Sequence, residues 1–304
     1  MRPRILAGLA LLGLVAWVGA NAFLGPPRRA GAQTATVEIR RAQKAGYLPR
    51  PGSDRLIVIL AIGSDARPGE RVDRLRADSI HLIAVNPRKR AGTVLGFPRD
   101  SYVNIPGRGT SRINDALVYG GPPLLVRTVE SITGIRIDYW ALTSFKGFSR
   151  IVDGINGLSV RVRYPMHDRA SGTSFNPGRR KLKGGQALAF ARDRHSPSNG
   201  DFGRSENQGR LILAALGKFT NRFAEDPTTL FRWIRVGLRG VKTDLSLGEL
   251  IDLGLLAAQM EPKKVRNVVA PGSVAMVGSA SVVRLTGSAQ SLFRDIKDDG
   301  ILNR

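Results

Sequence analysis

One run of eight residues limits the folds open to this chain more than any other segment. Residues Arg55–Ile62, with the sequence RLIVILAI, are apolar after the first position and do not alternate with polar side chains. A strand that faces solvent on one side alternates apolar and polar residues, whereas a strand covered on both faces reads as a continuous apolar run. The run therefore predicts a strand of a sheet with helices packed on both faces.

Strand-like and helix-like segments alternate along the rest of the chain. Glu206–Phe223 is the strongest predicted helix, because its apolar residues recur at helical spacing. Capping patterns predict two more helices, from Asp226 to about Leu238 and from Ser246 to about Met260. This alternation predicts a single layered α/β/α domain with a central mixed sheet. The further predicted strands, of which the last two are expected to join the same sheet, are Ser79–Val85, Gly92–Phe97, Tyr139–Leu142, Leu158–Val162, Val265–Ala270 and Val282–Leu285.

The first 25 residues have the pattern of a membrane anchor. Ile5–Leu24 is apolar except for Asn21, and about 20 helical residues span roughly 30 Å, the thickness of a hydrocarbon core. Arg2 and Arg4 place the N-terminus in the cytoplasm by the positive-inside tendency, so that the rest of the chain would be exported. The alternative is a cleaved signal peptide, because Ala20-Asn-Ala22 resembles a cleavage site.

Three parts follow from this pattern. Residues 1–25 are predicted to be a cytoplasmic stub and a transmembrane signal anchor, and residues 26–51, rich in Pro, Gly, Arg and Ala, a flexible tether. Residues 52–304 are predicted to form an extracytoplasmic domain, since about 250 residues suffice for one large α/β domain. The predicted location is the cell membrane, crossed once.

The chain has no cysteine and three histidines, which excludes several kinds of chemistry. Without cysteine there are no disulfides, thiolate metal sites or cysteine nucleophiles. The histidines lie far apart, and the motifs H-E-x-x-H, G-x-S-x-G and G-x-x-x-x-G-K-[ST] do not occur. The sequence therefore does not indicate a zinc peptidase, a serine hydrolase or a P-loop nucleotide-binding protein.

A formal net charge of +23 indicates a polyanionic partner. Lys and Arg number 47 against 24 Asp and Glu, and only ten of the basic residues are lysine. Guanidinium groups bind phosphate bidentately, so the candidate partners are nucleic acid, an anionic membrane surface and a phosphorylated ligand or polymer. A GC-rich genome would produce the same arginine bias without functional meaning. Predicted export argues against nucleic acid.

Carboxylates stand next to three of the predicted strands. Asp65 and Asp100 follow their strands, and Asp78 precedes its strand. Ligands of open α/β sheets bind beyond the carboxyl ends of strands, an edge that Asp78 also reaches if its strand runs antiparallel to the first. Two convergent carboxylates without His or Cys suit Mg2+, which prefers oxygen ligands. The alternative is that Asp65 and Asp78 cap turns or pair with Arg67 and Arg76.

A cluster of basic side chains precedes and opens the strongest predicted helix. Arg192 and Arg194, two positions apart, project to one side of an extended segment. Arg204 and Gln208 share one face of the helix if it begins early, and a helix N-terminus favours anions. Together with Arg99, these side chains form a candidate diphosphate site. The alternative is a solvated basic surface.

A series of short motifs lies along residues 55–225. The motifs are Gly63-Ser-Asp-Ala-Arg67, Arg76-Ala-Asp-Ser79, Pro98-Arg-Asp100, Tyr102-Val-Asn-Ile-Pro106, Arg112-Ile-Asn114, Tyr119-Gly-Gly-Pro122, Ala191-Arg-Asp-Arg194 and Asp201-Phe-Gly-Arg204 with Gln208. In number, order and spacing, these motifs resemble those of the LytR–CpsA–Psr family of cell-envelope phosphotransferases.

The resemblance implies a transferase that moves a glycopolymer phosphate from a polyprenyl-diphosphate carrier to peptidoglycan, outside the membrane and with Mg2+. It implies that Asp65 and Asp78 hold the metal and that the lipid lies in an apolar tunnel between sheet and helices. The residues that it implies in catalysis are Arg99, Arg192 and Arg194. The residues that it implies in diphosphate binding are Arg67, Arg99, Arg112, Arg192, Arg194, Asp201, Arg204 and Gln208. The acceptor hydroxyl needs a base or else only a good leaving group; Asp100 is the candidate base, and the alternative is that this acid, next to Arg99, is structural.

Three other functions would use the same features. A hydrolase would release polyprenyl phosphate at this site with water as the acceptor. A non-catalytic, membrane-tethered protein would bind anionic wall polymer through its arginines, and a regulator would bind nucleic acid. Dependence on an acceptor separates the transferase from the hydrolase. Dependence on Mg2+ separates both from the polymer-binding protein, whose affinity would respond mainly to salt.

Overall fold

The computed structural model describes five ranges of the chain, namely residues 37–41, 55–67, 69–238, 241–243 and 247–303. The predicted membrane span, Ile5–Leu24, and the predicted boundaries near residues 25 and 51 lie outside these ranges. Within these ranges, no helix is long and apolar enough to cross a bilayer.

The strands build one large sheet and several hairpins. Seven of the described strands form a mixed sheet in the order β12-β1-β7-β2-β3-β4-β13, and the others pair as β5-β6, β8-β11, β9-β10 and β14-β15. In chain order the strands are β1 (Val37–Arg41), β2 (Ile57–Ser64), β3 (Ala77–Asn86), β4 (Ala91–Gly96), β5 (Tyr102–Ile105), β6 (Gly109–Arg112), β7 (Tyr139–Ser144), β8 (Leu158–Val162), β9 (Met166–Asp168), β10 (Thr173–Phe175), β11 (Gly178–Leu182), β12 (Val241–Thr243), β13 (Val265–Val269), β14 (Gly272–Val277) and β15 (Ala280–Leu285).

The helices cover both faces of the large sheet. They are α1 (Asp115–Thr133), α2 (Phe145–Gly154), α3 (Gly184–Arg192), α4 (Asp201–Glu225), α5 (Thr229–Leu238), α6 (Leu247–Gln259) and α7 (Gly287–Asp299), with 3-10 turns at Val72–Arg74 and Pro262–Lys264. Neighbouring residues of β2 pack to opposite sides, as the continuous apolar run predicts. Val58 and Leu60 join a core with Phe293 of α7, whereas Ile57 packs with Leu256 of α6. The predicted central mixed sheet between helical layers is confirmed.

One of the strand predictions differs from the observed pairing. Val282–Leu285 was expected in the central sheet, but it belongs to β15, which pairs antiparallel with β14. Gly278, in the turn between them, has a φ of 59°, and glycine adopts this conformation without strain. The chain therefore folds back on its nearest neighbour and leaves β13 as the last strand at that edge of the sheet. Val265–Val269 joins the sheet as expected.

Part of the predicted tether is a strand. Val37–Arg41 forms β1, which runs antiparallel to β7 and parallel to β12. A strand with partners on both sides has its backbone groups hydrogen-bonded, and a flexible tether does not. The prediction of a tether is therefore wrong for these five residues.

The start of α3 packs tightly against α2, and this contact positions the residues that follow α3. A Cβ atom at Gly184 would overlap the carbonyl oxygen of Ser149, whereas a Cβ atom at Gly185 would meet nothing within 4 Å. We expect Gly184→Ala to lower the free energy of unfolding by about 1–3 kcal/mol, as overpacking does. Gly185→Ala should be neutral or stabilise by up to about 1 kcal/mol, because alanine favours the helix. Urea unfolding of both variants measures the difference; equal values would contradict the tight contact.

Candidate active site

A cavity of about 530 Å3 lies between the sheet and helices α2, α3, α4 and α5. Its lining changes along α4, from Arg204 and Gln208 near the start of the helix to Leu211 and Ala215 further on. At 1.5 Å per residue, Arg204 and Ala215 are about 16 Å apart along the helix axis. The cavity therefore has a charged end and an apolar end. Other apolar side chains that line it are Phe145, Phe148, Ile151, Leu188, Ile212 and Trp233.

A second apolar cavity lies beside the first. It measures about 310 Å3 and is lined by α4, α5 and α6. Ala215 and Trp233 line both cavities, so these two side chains form a shared wall. The apolar residues at helical spacing in α4 thus face two cavities as well as the core.

Arg99 is the centre of the charged end. It follows β4, and its guanidinium donates a hydrogen bond to Asp78 with an Nη1–Oδ1 distance of 2.5 Å. Its backbone N–H donates to Oδ2 of Asp201 at 2.9 Å. Because β3 runs antiparallel to β2, with Ser79 opposite Gly63, Asp78 lies at the carboxyl end of β2. The sequence analysis required this antiparallel pairing for Asp78 to reach the same edge of the sheet as Asp65, and the structure confirms it.

One carboxylate oxygen of Asp65 has no partner among the residues that the structure describes. Asp65 follows β2, and the oxygen is its buried Oδ1 atom. Burial, and after it the negative charge of Asp78, raise the pKa of the Asp65 carboxyl above its usual value. Both effects favour a cation beside the two carboxylates. Asp78 pairs with Arg99, and Arg76 lies 3.8 Å from Asp115, so the suggested pairing of Asp78 with Arg76 is not observed.

These carboxylates fit Mg2+ better than a metal with a full protein cage. Among the residues that the structure describes, no group of three or more His, Asp or Glu side chains forms a metal site. Mg2+ typically keeps several waters and binds one or two carboxylates together with substrate phosphates. The unpartnered oxygen of Asp65 and the neighbouring Asp78 carboxylate are consistent with this mode.

The first turn of α4 holds a buried ion pair. Arg204, 5% exposed, pairs with Asp201 three residues before it. Burial lowers the pKa of the Arg204 guanidinium and raises the pKa of the Asp201 carboxyl, and each partner's charge opposes the shift of the other. The helix begins at Asp201, so Arg204 and Gln208 share a face as anticipated. Gln208 donates hydrogen bonds to the carbonyl oxygens of Asp78 and Ala191, which joins α4 to β3 and α3.

Arg192 and Arg194 flank a buried carboxylate. Arg192 is the last residue of α3, and its guanidinium lies 5.0 Å from the centre of the Phe145 ring. Asp193 is fully buried and accepts hydrogen bonds from the backbone N–H groups of His195 and Ser196. Both arginines are exposed and line the cavity. Only the part after Arg192 is extended, so the predicted extended segment is half helical.

Five predicted site residues do not line the cavity, namely Asp65, Arg67, Asp100, Arg112 and Asp201. Asp100 lies 3.7 Å from Arg99 and 3.8 Å from Arg112, and this chain of ion pairs borders the site. Arg67 is exposed, and its backbone N–H donates to Glu70. The structure thus brings Asp78, Arg99, Arg192, Arg194, Arg204 and Gln208 together in one lining, with Asp65, Asp100, Arg112 and Asp201 directly behind it or beside it.

Two residues of the lining were missed by the sequence analysis. His195 and Asp168 both line the cavity, and Nδ1 of His195 lies 3.0 Å from Oδ1 of Asp168. The available signal was weak. His195 directly follows Arg194, but its partner Asp168 lies 27 positions earlier in the chain.

His81 lies under the site and is buried. Its Nε2 atom donates to the carbonyl oxygen of Ser205, and Nδ1 lies 3.1 Å from the Ser79 hydroxyl. Burial lowers its pKa from 6.5 to about 4, so the folded protein binds fewer protons than the unfolded chain between these values. Because of His81, the free energy of unfolding should be highest above about pH 6.5 and should fall by about 3 kcal/mol as the pH is lowered to 4. His81→Gln should remove this part of the pH dependence in urea unfolding, and His167→Gln, at an exposed position, should keep it.

A three-layer α/β fold with a cavity that is charged at one end and apolar at the other defines a protein suited to an anion with an apolar tail. The chain belongs to the LytR_cpsA_psr family, whose sequence pattern matches residues 29–297. The resemblance seen in the short motifs is thereby confirmed.

Similar proteins carry names that describe their reactions. TagU of Bacillus subtilis (strain 168), a polyisoprenyl-teichoic acid–peptidoglycan teichoic acid transferase, is 32% identical over 196 residues, which are 64% of this chain and 62% of TagU. TagT of the same strain, with the same type of name, is 31% identical over 226 residues, 71% of this chain and 69% of TagT. The chain thus spans less than two thirds of the length of TagU.

A similar solved structure is that of the LytR-CPS2A-psr family protein YwtF (TagT) with bound octaprenyl pyrophosphate lipid. Its TM-score is 0.63 at 23% identity, over 90% of this chain and 99% of that chain. At this identity the likeness supports the fold.

Proposed function

We propose that this protein is a transferase that moves a glycopolymer phosphate from a polyprenyl-diphosphate carrier to peptidoglycan. The observation that carries the proposal is the cavity with one charged and one apolar end along α4. A polyprenyl diphosphate has the same division into anionic head and apolar tail. Burial of the tail stabilises the complex by about 0.8 kcal/mol for each CH2 group. The names of the TagU and TagT relatives, and the lipid in the YwtF structure, support the same substrate class.

The arginines would bind the diphosphate and stabilise its charge during transfer. Phosphoryl-type transfer depends on in-line positioning and on neutralising negative charge that spreads over phosphate oxygens. Arg192 and Arg194 face the cavity from the end of α3, and Arg99 faces it from the segment after β4, so the two groups would reach different oxygens of the head group. Asp201 and Gln208 would act indirectly, because they hold Arg99 and the end of α3 in place. The donor's diphosphate supplies the free energy, so no nucleotide is required.

Mg2+ is the cofactor that we propose. Asp65 and Asp78 would hold it, and when bound it neutralises charge on the diphosphate and favours the leaving phosphate. The support is the unpartnered Oδ1 of Asp65 beside the charge of Asp78. Asp65→Asn should therefore raise the Mg2+ concentration that transfer requires or abolish transfer, and the half-buried Asp73, paired with Arg71, offers a control as Asp73→Asn.

The membrane is the place where we propose that this reaction occurs. Ile5–Leu24 would anchor the chain with its domain outside the cytoplasm, where both the lipid carrier and peptidoglycan are present. A cleaved N-terminus would release the domain from the cell. Gel migration distinguishes an anchor from a cleaved signal peptide: an anchored protein should stay in the membrane fraction at its full-length size, whereas a cleaved protein should be shorter and leave that fraction.

The test uses the full-length protein in detergent with a synthetic polyprenyl-diphosphate oligosaccharide, Mg2+ and a peptidoglycan fragment. We expect a phosphodiester-linked conjugate by mass spectrometry, formed only with the acceptor and lost in Asp65→Asn but not in Asp73→Asn. Release of polyprenyl phosphate at the same rate without the acceptor would indicate a hydrolase. An intact donor that binds the protein would indicate a polymer-binding function and contradict the proposal.

A further inference from the structure

We propose that His195, oriented by Asp168, is the general base that removes the proton from the acceptor hydroxyl. The inference rests on the proposed transferase function. It concerns two residues of the cavity lining that contact each other and have no part in the proposed binding of the diphosphate.

The two side chains form a pair at the charged end of the cavity. Nδ1 of His195 lies 3.0 Å from Oδ1 of Asp168, and the two side chains are 54% and 6% exposed. Within the described part of the chain, Nε2 of His195 has no hydrogen-bond partner. A histidine that donates from Nδ1 to a carboxylate keeps a lone pair on Nε2, which is the tautomer that a base needs.

Asp168 is built to stay charged. Desolvation favours its protonated form, but hydrogen bonds from His195 and from the backbone N–H of Ala170 keep its pKa below the usual value. The hydroxyl of Thr173 accepts a hydrogen bond from the backbone N–H of Asp168 and donates to Asp193 at 2.8 Å. The carboxylate therefore remains an acceptor for the imidazole N–H.

The segment that carries His195 is fixed by a second buried carboxylate. Asp193 accepts from the backbone N–H groups of His195 and Ser196, and it accepts from Thr173, which lies opposite Asp168 in the β9–β10 hairpin. The hydroxyl of Ser196 accepts from the backbone N–H of His167 on the same hairpin. These contacts tie the segment of the arginines to the hairpin, and they place His195 beside Arg194 in the lining. A base is thereby held next to a group that binds phosphate.

Asp100, the base suggested by sequence, is placed less well. One of its carboxylate oxygens forms an ion pair with Arg99 and the other forms an ion pair with Arg112, both within 4 Å. It does not line the cavity. Asp100 is therefore engaged in two ion pairs outside the lining, whereas His195 faces the cavity.

The step that His195 assists is balanced without a redox partner. The acceptor oxygen attacks the phosphorus that carries the glycopolymer, and its proton passes to Nε2 of His195. A new P–O bond forms to the acceptor while the P–O bond to the bridging oxygen breaks. Polyprenyl phosphate leaves with the electron pair of that bond, and the imidazolium later loses its proton to solvent.

The test compares conjugate formation by the full-length protein and three variants. We expect His195→Ala to lower kcat by about 10²–10⁴-fold, as the loss of a general base does, while KM for the donor changes little. Added imidazole should restore transfer by His195→Ala, because the exposed position leaves room for it. Asp168→Asn should lower kcat by about an order of magnitude or more, without rescue by imidazole. His167→Ala, at an exposed position on the same hairpin, should transfer at the wild-type rate.

Three results would overturn the proposal. His195→Ala could transfer at the wild-type rate, or it could lose transfer without any recovery in imidazole, or His167→Ala could lose as much. Thermal unfolding of each variant shows that the compared proteins are folded. If the wild-type protein itself forms no conjugate, the proposed transferase function fails. If the wild-type protein forms the conjugate and His195→Ala does not behave as expected, only the assignment of the base fails.

Discussion

Replacing Arg204 with methionine is expected to lower Tm by about 10 °C. The change keeps the volume of the side chain but leaves the largely buried carboxylate of Asp201 without its ion-pair partner. Removing one partner of a buried ion pair costs about 3–5 kcal/mol, and a domain of this size loses roughly 2–4 °C for each kcal/mol. Differential scanning calorimetry measures the shift.

An ion pair further along α4 supplies the control. Arg222 pairs with Glu225 at the same spacing of three residues, but both side chains are more than 60% exposed. Arg222→Met should change stability by less than about 1 kcal/mol, because exposed pairs contribute little. Adding Asp201→Asn to Arg204→Met should recover part of the loss, since no unpaired charge then remains buried. Equal shifts in Arg204→Met and Arg222→Met would contradict the account of the buried pair.

Replacing Arg192 with alanine is expected to lower the rate of transfer by about 10²–10³-fold, the usual effect of removing one donor that stabilises transition-state charge. Arg192 ends α3, lines the cavity and lies over the ring of Phe145, so its head group is held where a diphosphate would bind. Arg192→Lys should recover only part of the rate, because an ammonium group lacks the bidentate fork.

The matched control for this change is Arg179, an exposed arginine of β11 that does not line the cavity. Arg179→Ala removes the same charge and should leave the rate unchanged. Single-turnover measurements of conjugate formation separate the chemical step from binding of the donor. A normal single-turnover rate in Arg192→Ala would remove this residue from the reaction, and equal losses in both variants would indicate a general effect of net charge.

Local pattern was enough to predict most of the central sheet. The apolar run at Arg55–Ile62 became β2 with cores on both faces, and the helix predicted over Glu206–Phe223 became α4, longer by five residues at its start. Strand partners were harder to predict, because a strand such as Val282–Leu285 carries no mark of its neighbour. The turn at Gly278 decides the pairing through local geometry, and β14 itself was not predicted.

The sequence predicted which kinds of residue form the charged end of the cavity, but not which of them are buried or how they pair. Acidic and basic side chains beside strand ends and a helix start indicated where a ligand binds, and Asp78, Arg99 and Arg204 do lie together. Burial could not be read from the sequence, however. Asp193 stands between two exposed arginines, and Arg204 is one of many arginines in the chain, so tertiary packing alone makes these two side chains buried. The partnership of His195 with Asp168 depends on the β9–β10 hairpin, which joins segments distant in the chain.

The cavity is lined by residues from strands β2 and β7 and from helices α2, α3, α4 and α5, so its walls exist together only in the folded chain. A molecule that fills the cavity then binds the native state and not the unfolded one. Its binding free energy adds to that of folding, by about 2.7 kcal/mol when the free ligand is at 100 times its Kd. The thermal midpoint therefore reports on occupancy: a short polyprenyl diphosphate should raise it, even in a variant too slow to turn the ligand over.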